Sequence, residues 1–231
     1  MNSLVRTARI TGVLYLSLAI TGGLGFLVIR PRLFASGDPD ATLSNLVQHE
    51  TLARVGVALE LGVVVAQALT AVWFYMLFRT AHAVAAGSVA AFGLVNAVTV
   101  MTSGALLATT INIGDQPVGD PAATVQTLYL VSNNLWGVGN LFFGLWLMPM
   151  GVCVLRSRWM PRPLGWLLVG GGIGYLASTF VSLLAPGAQP IADTASAAQR
   201  TSPIVIQWSW THHHGRRAKV SATALVVMKR W

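Results

Sequence analysis

Acidic residues are scarce in this sequence, lysine is nearly absent and cysteine occurs once. Seven Asp and Glu stand against 15 Lys and Arg, and charged residues make up only 10% of the 231. A soluble domain carries roughly 25%, so there is too little charge here for a water-facing surface. The lone Cys153 lies inside an apolar run, which excludes an intramolecular disulfide and reads as a small buried hydrophobe. The phosphate-loop pattern G-x-x-x-x-G-K-[ST] is missing. His49-Glu50 opens like H-E-x-x-H, but Ala53 stands where the second His is needed. Gly172, Gly174 and Ala177 fit G-x-G-x-x-A, yet no strand precedes them. The adjacent side chains of His212–His214 point in different directions and make a poor metal set. No His falls within a predicted crossing, so an intramembrane Ser-His or His-metal enzyme lacks its parts. We therefore expect no catalytic set, no metal and no cofactor.

What is present is apolar: 54% of residues, with a mean hydropathy of +0.64. The stretch from Asn133 to Ser178 organises the rest. Two uncharged runs flank a short loop with Arg156, Arg158 and Arg162, which in a bilayer is a helical hairpin with a basic cytoplasmic turn. Ile10 to Ile29 is uncharged over about 20 residues, enough for one crossing. It is longer than a signal peptide's apolar region, and Arg30-Pro31-Arg32 closes it like a helix end. Residues 31–53 form a polar connection with a short helix capped by Asp40, its Leu43, Leu46 and Val47 toward lipid. Further crossings lie at Val55–Phe78, within Ala83–Ile113, within Thr124–Leu155 (kinked by Pro149) and at Leu164–Leu184. The fold class is thus all-α, an integral membrane helical bundle with five transmembrane helices. Residues 1–187 form the bundle and 188–231 a polar basic tail.

The net charge of +8 sits at helix ends, not along one polar face. It reads as topology and contact with the lipid bilayer, not as nucleic-acid binding. With the N-terminus cytoplasmic, inner loops hold Arg6, Arg9, Arg79, Arg156, Arg158 and Arg162, and outer short loops hold Arg30, Arg32 and Arg54. The location is then the inner membrane, multi-pass. The tail breaks this pattern, because five crossings place its Arg and Lys outside. Both lysines, Lys219 and Lys229, fall in it. Either it is a genuine polar tail, disordered or lying on the membrane, or the coding frame shifts near residues 187–200 and a sixth helix is lost.

Glu60 is the sharpest single feature. An ionisable group inside an apolar helix costs about 2.5–3.5 kcal/mol, so it belongs against the bundle interior, a cavity or a partner. Gln67 lies seven residues on, on the same face, and Arg54 sits at the helix mouth. Asn133, Gly137, Asn140 and Gly144 form a stripe on the fourth helix, and Asn96, Thr99 and Ser103 one on the third. Thr11, Tyr15 and Gly22 form one on the first, and Gly170 and Gly174 a G-x-x-x-G on the fifth. These stripes are expected to converge on one semi-polar interior. The candidate intramembrane polar site is Arg54, Glu60, Gln67, Asn96, Asn133 and Asn140.

The segments TARITGVLYL, ARVGVALELG, VWFYMLFRTA, NLFFGL and MPRPLGWLLVGGGIGYL, in this order, resemble a bacterial multi-pass family known as domain of unknown function 4386. The likeness covers about Arg6 to Pro186. It implies a bundle of about six helices with no established activity, one more than this chain shows. It also implies a basic and an acidic residue at the positions of Arg54 and Glu60, and an acid at Gln67. Gly93 and Asn96 depart from the Arg and Glu that the family often carries there. The expected function is small-molecule transport or sensing through the semi-polar interior. The alternative is a structural or assembly partner of other membrane proteins, or a homo-oligomer, without catalysis.

Overall fold

The computed structural model describes residues 3–115, 119–184, 204–209 and 221–226. Among the described residues, five stretches are helical, long and apolar enough to cross a membrane: Leu4–Leu33, Glu50–Phe78, Ala83–Ile113, Pro121–Arg156 and Arg162–Val181. The first combines α1 (Ser3–Gly23), a π-helical segment (Leu24–Ile29) and α2 (Arg30–Leu33). A short α3 (Pro39–Gln48) follows, then α4 (Glu50–Phe78), α5 (Ala83–Asp115), α6 (Pro121–Arg156) and α7 (Arg162–Leu184). The bundle is all-α. In the tail, β1 (Ile204–Ser209) pairs antiparallel with β2 (Ser221–Val226), Ile204 opposite Val226 and Ser209 opposite Ser221. These two strands are the described elements of the polar basic stretch 188–231. Arg200, His212–His214, Arg216, Arg217, Lys219, Lys229 and Arg230 lie outside the described residues.

Arg6 and Arg9 lie on the first turns of the first helix, ahead of the uncharged run. Arg30-Pro31-Arg32 fall in its last turn, as expected, and the helix closes one residue later at Leu33. Pro31 explains the manner of continuation: it has no N–H, and its ring presses on the carbonyl four residues back. A wider turn upstream accommodates this, and the Arg30 N–H reaches the Gly25 carbonyl, five residues back. The short helix is capped differently from the expectation. Asp38, not Asp40, accepts the Ala41 N–H, with Pro39 in the first turn. Its Leu46 is 5% exposed and Thr42 fully buried, whereas Val47 is 61% exposed. The apolar side of α3 therefore faces protein, not lipid.

The chain forms two compact units. One comprises Ser17–Leu69 and Leu94–Gly139. Its core is Ile29, Leu33, Phe34, Leu46, Ala53, Leu107, Ile113 and Val125. Phe34 stacks on Tyr129 with centroids 4.2 Å apart. Thr42 ties α3 down: its hydroxyl accepts the Ala35 N–H and lies 3.0 Å from Gln126 Oε1.

The other unit comprises Met1–Leu16, Thr70–Gly93 and Asn140–Trp231. Tyr15, Phe74 and Trp146 meet edge-on at 5.9–6.0 Å. Here α6 and α7 approach almost backbone to backbone through Gly144, Gly151, Gly165 and Gly172. The G-x-x-x-G at Gly170 and Gly174 is not this contact, since a Cβ on Gly170 meets nothing within 4 Å. Pro149 sits inside α6 without interrupting it. A Cβ on Gly151 would lie 2.6 Å from Val169 Cγ2 and 2.7 Å from the Gly165 carbonyl oxygen. One on Gly172 would lie 2.8 Å from the Gly144 carbonyl oxygen. Gly151→Ala and Gly172→Ala should each lower stability by about 1–3 kcal/mol, read as a lower Tm in detergent. Gly170→Ala should leave Tm unchanged or raise it. Three variants melting alike would refute the close approach.

Candidate functional site

Glu60 on α4 is 4% exposed, in the unit formed by Ser17–Leu69 and Leu94–Gly139. A carboxylate removed from water needs a charge partner and donors for its lone pairs. Both are present. Arg30, 6% exposed, places Nη2 at 2.5 Å from Glu60 Oε1. Trp136 on α6 donates its indole N–H to the same oxygen at 2.9 Å. Ser103 on α5 lies 3.3 Å from both carboxylate oxygens. Arg30 Nη2 also reaches Ser132 Oγ at 2.8 Å and Ser103 Oγ at 3.1 Å, and the two hydroxyls are 2.7 Å apart. Nη2 carries two N–H groups for three acceptors, so one bond is shared. The pair thereby joins the first membrane-long helix to α4, α5 and α6.

The surroundings complete the site. The guanidinium lies 5.2 Å from the Phe26 ring centroid and 5.8 Å from that of Trp136, within the range of cation–π attraction. Gly104 leaves room for the carboxylate, since a Cβ there would sit 3.3 Å from Glu60 Oε2. Arg30 Nη1 is buried and has no hydrogen-bond partner. Beside the pair is a cavity of about 20 Å³, room for about one water. Arg30, Glu60 and Thr110 are its polar lining; Ile29, Leu33, Leu46 and Val57 are among the apolar residues around it.

The sequence-derived candidates divide on this geometry. Glu60 is the centre. Gln67 and Asn96 are buried at 1% and 9% exposure in the same unit, and Gln67 Nε2 has no partner. Neither bonds to the pair. Arg54 is exposed and binds Glu50 one turn before it, Nε to Oε1 at 2.7 Å. Asn133 and Asn140 are exposed. On α6 the inward positions in this unit are instead Ser132 and Gly139, so the buried stripe lies one residue earlier than expected. The expected convergence of all the stripes is therefore replaced by a smaller set.

Arg30, Ser132 and Trp136 are the residues that sequence reasoning missed. Arg30 was read as an outer-loop charge because it ends an apolar run. The available signal was Glu60 itself, since an intramembrane acid calls for a basic partner. Among the described residues no cluster of three His, Cys, Asp or Glu could hold a metal.

The model of the family described as domain of unknown function DUF4386 matches residues 10–211. The chain belongs to this family. The match continues past Pro186, where the recognisable segments end, so residues 187–200 lie inside it. No curated protein and no solved structure matches the chain. Family membership thus assigns no chemistry, which has to be read from the Arg30–Glu60 centre.

Removing one partner of a buried ion pair leaves the other uncompensated, whereas replacing both with apolar groups of similar volume is often neutral or better. Arg30→Met and Glu60→Leu should each destabilise by about 3–5 kcal/mol, and the double variant should recover most of that loss. Thermal melts in detergent read the cycle. Additive losses in the double variant would show that the two side chains do not act as a pair.

Proposed function

We propose that the protein is a multi-pass protein of the bacterial inner membrane with a cytoplasmic N-terminus. Its Arg30–Glu60 centre binds a small molecule, for transport or sensing. The observation that carries this reading is Arg30 Nη1: a buried donor without a partner, on a residue only 6% exposed that lines a cavity. Apolar residues of similar volume often serve stability as well as a buried pair does, so stability alone does not call for this one. A spare cationic donor is what the acceptor group of a ligand requires. The remaining lining is largely apolar, which suits a small molecule with a carboxylate or carbonyl end and a hydrocarbon body. In this state the cavity takes about one water, so a larger guest needs Leu33 or Leu46 to move aside. Gln67 and Asn96 extend the polar interior of the same unit.

The orientation draws support from the burial of Arg30. Removing it from the loop count leaves Arg32 and Arg54 for the outer loops, and Arg54 is paired with Glu50. The inner set of Arg6, Arg9, Arg79, Arg156, Arg158 and Arg162 is unchanged, so the bias toward a cytoplasmic N-terminus strengthens. Compartment-sensitive reporters fused after Gly37 should report outside, and those after Thr80 and Arg158 should report inside. The reverse pattern refutes the orientation.

Short-chain fatty acids serve as probes of the site, having one acceptor end and an apolar body. They should raise the Tm of the wild-type protein in a neutral detergent and leave the Arg30→Met/Glu60→Leu variant unmoved. A series that shifts both proteins equally, or neither, overturns the binding reading.

A further inference from the structure

The unit of Met1–Leu16, Thr70–Gly93 and Asn140–Trp231 has a one-sided charge. Its described residues carry Arg6, Arg9, Arg79, Arg156, Arg158 and Arg162, and no Asp or Glu. All six arginines are exposed. Every acid of the chain except Asp193 falls in the other unit.

Four of these arginines are gathered by a built loop. After α6 ends, Ser157 turns the chain: its N–H and hydroxyl both bond to the Val154 carbonyl, at 3.2 and 2.8 Å. The Trp159 N–H bonds to the Ser157 carbonyl at 2.7 Å, and Arg158 takes a left-handed conformation at φ 57°. Left-handed backbone is unfavourable for a residue with a Cβ, so the surrounding contacts hold it. Ser157 and Met160 point inward at 8% exposure, while Arg156, Arg158 and Arg162 face out. Trp159 stacks on Phe78 with centroids 5.9 Å apart, which seats the loop beside Arg79. Trp166, 66% exposed, follows Arg162 by four residues on the same helix face.

We infer that Arg79, Arg156, Arg158 and Arg162 form a docking surface for the phosphate headgroups of anionic phospholipids. The inference rests on reading the chain as a membrane protein. Guanidinium groups bind phosphate oxygens in pairs and stay charged under all conditions. An exposed Trp next to them suits the headgroup level, with its ring toward hydrocarbon and its N–H toward water. Leu167, 61% exposed, continues this surface into an apolar one. A nucleic acid stacks bases on an exposed Trp but has no hydrocarbon to cover Leu167. A bilayer rich in anionic lipid covers all of them at once.

The test uses the full chain in mixed micelles of neutral detergent. Short-chain phosphatidylglycerol should raise its Tm, short-chain phosphatidylcholine should not, and high salt should abolish the difference. Native mass spectrometry should show phosphatidylglycerol enriched over phosphatidylcholine. That enrichment should fall by about fivefold for each of Arg156, Arg158 and Arg162 replaced by Gln. Arg32→Gln/Arg54→Gln should retain it. Equal response to the two lipids overturns the inference, as does equal loss in the Arg32/Arg54 variant. The same Tm shift from inorganic phosphate or from a single-stranded RNA also overturns it. Extraction from membranes by alkaline carbonate without detergent would refute the membrane reading itself. Detergent-dependent extraction without lipid preference would refute only the docking surface.

Discussion

A carboxylate inside an apolar helix cannot stand alone, and much of the unit around Glu60 is arranged to satisfy it. Its oxygens draw a guanidinium from the first helix, a hydroxyl from α5 and an indole N–H from α6. Each partner must come close enough to bond. Gly104 leaves room beside the carboxylate, Ser103 and Ser132 take up Arg30 Nη2, and Phe26 and Trp136 flank the guanidinium, whose Nη1 is left without a partner. The ion pair sets the register of four helices, because its bonds tolerate displacements of only a few tenths of an ångström.

Reaching that pair requires a distortion. A regular α-helix from Ser3 to Leu33 would carry no room for the ring of Pro31 and would turn Arg30 to another azimuth. The π-helical turn at Leu24–Ile29 adds the rotation that brings Arg30 inward, together with Ile29 and Leu33. Such turns recur at functional sites. Here the turn has a local cause in Pro31 and a consequence in the site. The second unit is held together differently. It buries no acid among its described residues; it relies on edge-to-face aromatics and on glycines that let α6 and α7 touch through their backbones.

Particular elements separate what a one-dimensional reading reaches from what it misses. The five membrane-length helices were legible because lipid demands about 20 apolar residues per crossing and few charges, and those runs are visible in any window. Glu60 was legible for the same reason, as an exception to its run. Asn133 and Asn140 were placed on a shared stripe with Gly137 and Gly144, yet periodicity says only that they lie on one face, not which face turns inward. The inward face passes through Ser132 and Gly139, a difference of one residue and about 100° of rotation. Val47 and Asp40 missed by similar small shifts, since helix ends are the least determined part of a pattern.

The sequence by itself determined the class of this protein: an all-α bundle of apolar helices with a basic bias, one acid inside a crossing, and membership in a family without assigned chemistry. Those properties follow from composition and run length, which are local. Only the tertiary structure decided that Arg30 is the partner of Glu60, that Arg54 is not, and that Arg79 joins the loop arginines Arg156, Arg158 and Arg162 in a unit with no acid among its described residues. The reason is physical. Arg30 and Glu60 are 30 residues apart in the chain, and nothing local couples them. Their pairing depends on how a proline-driven π turn rotates one helix and how close α4, α5 and α6 are allowed to approach.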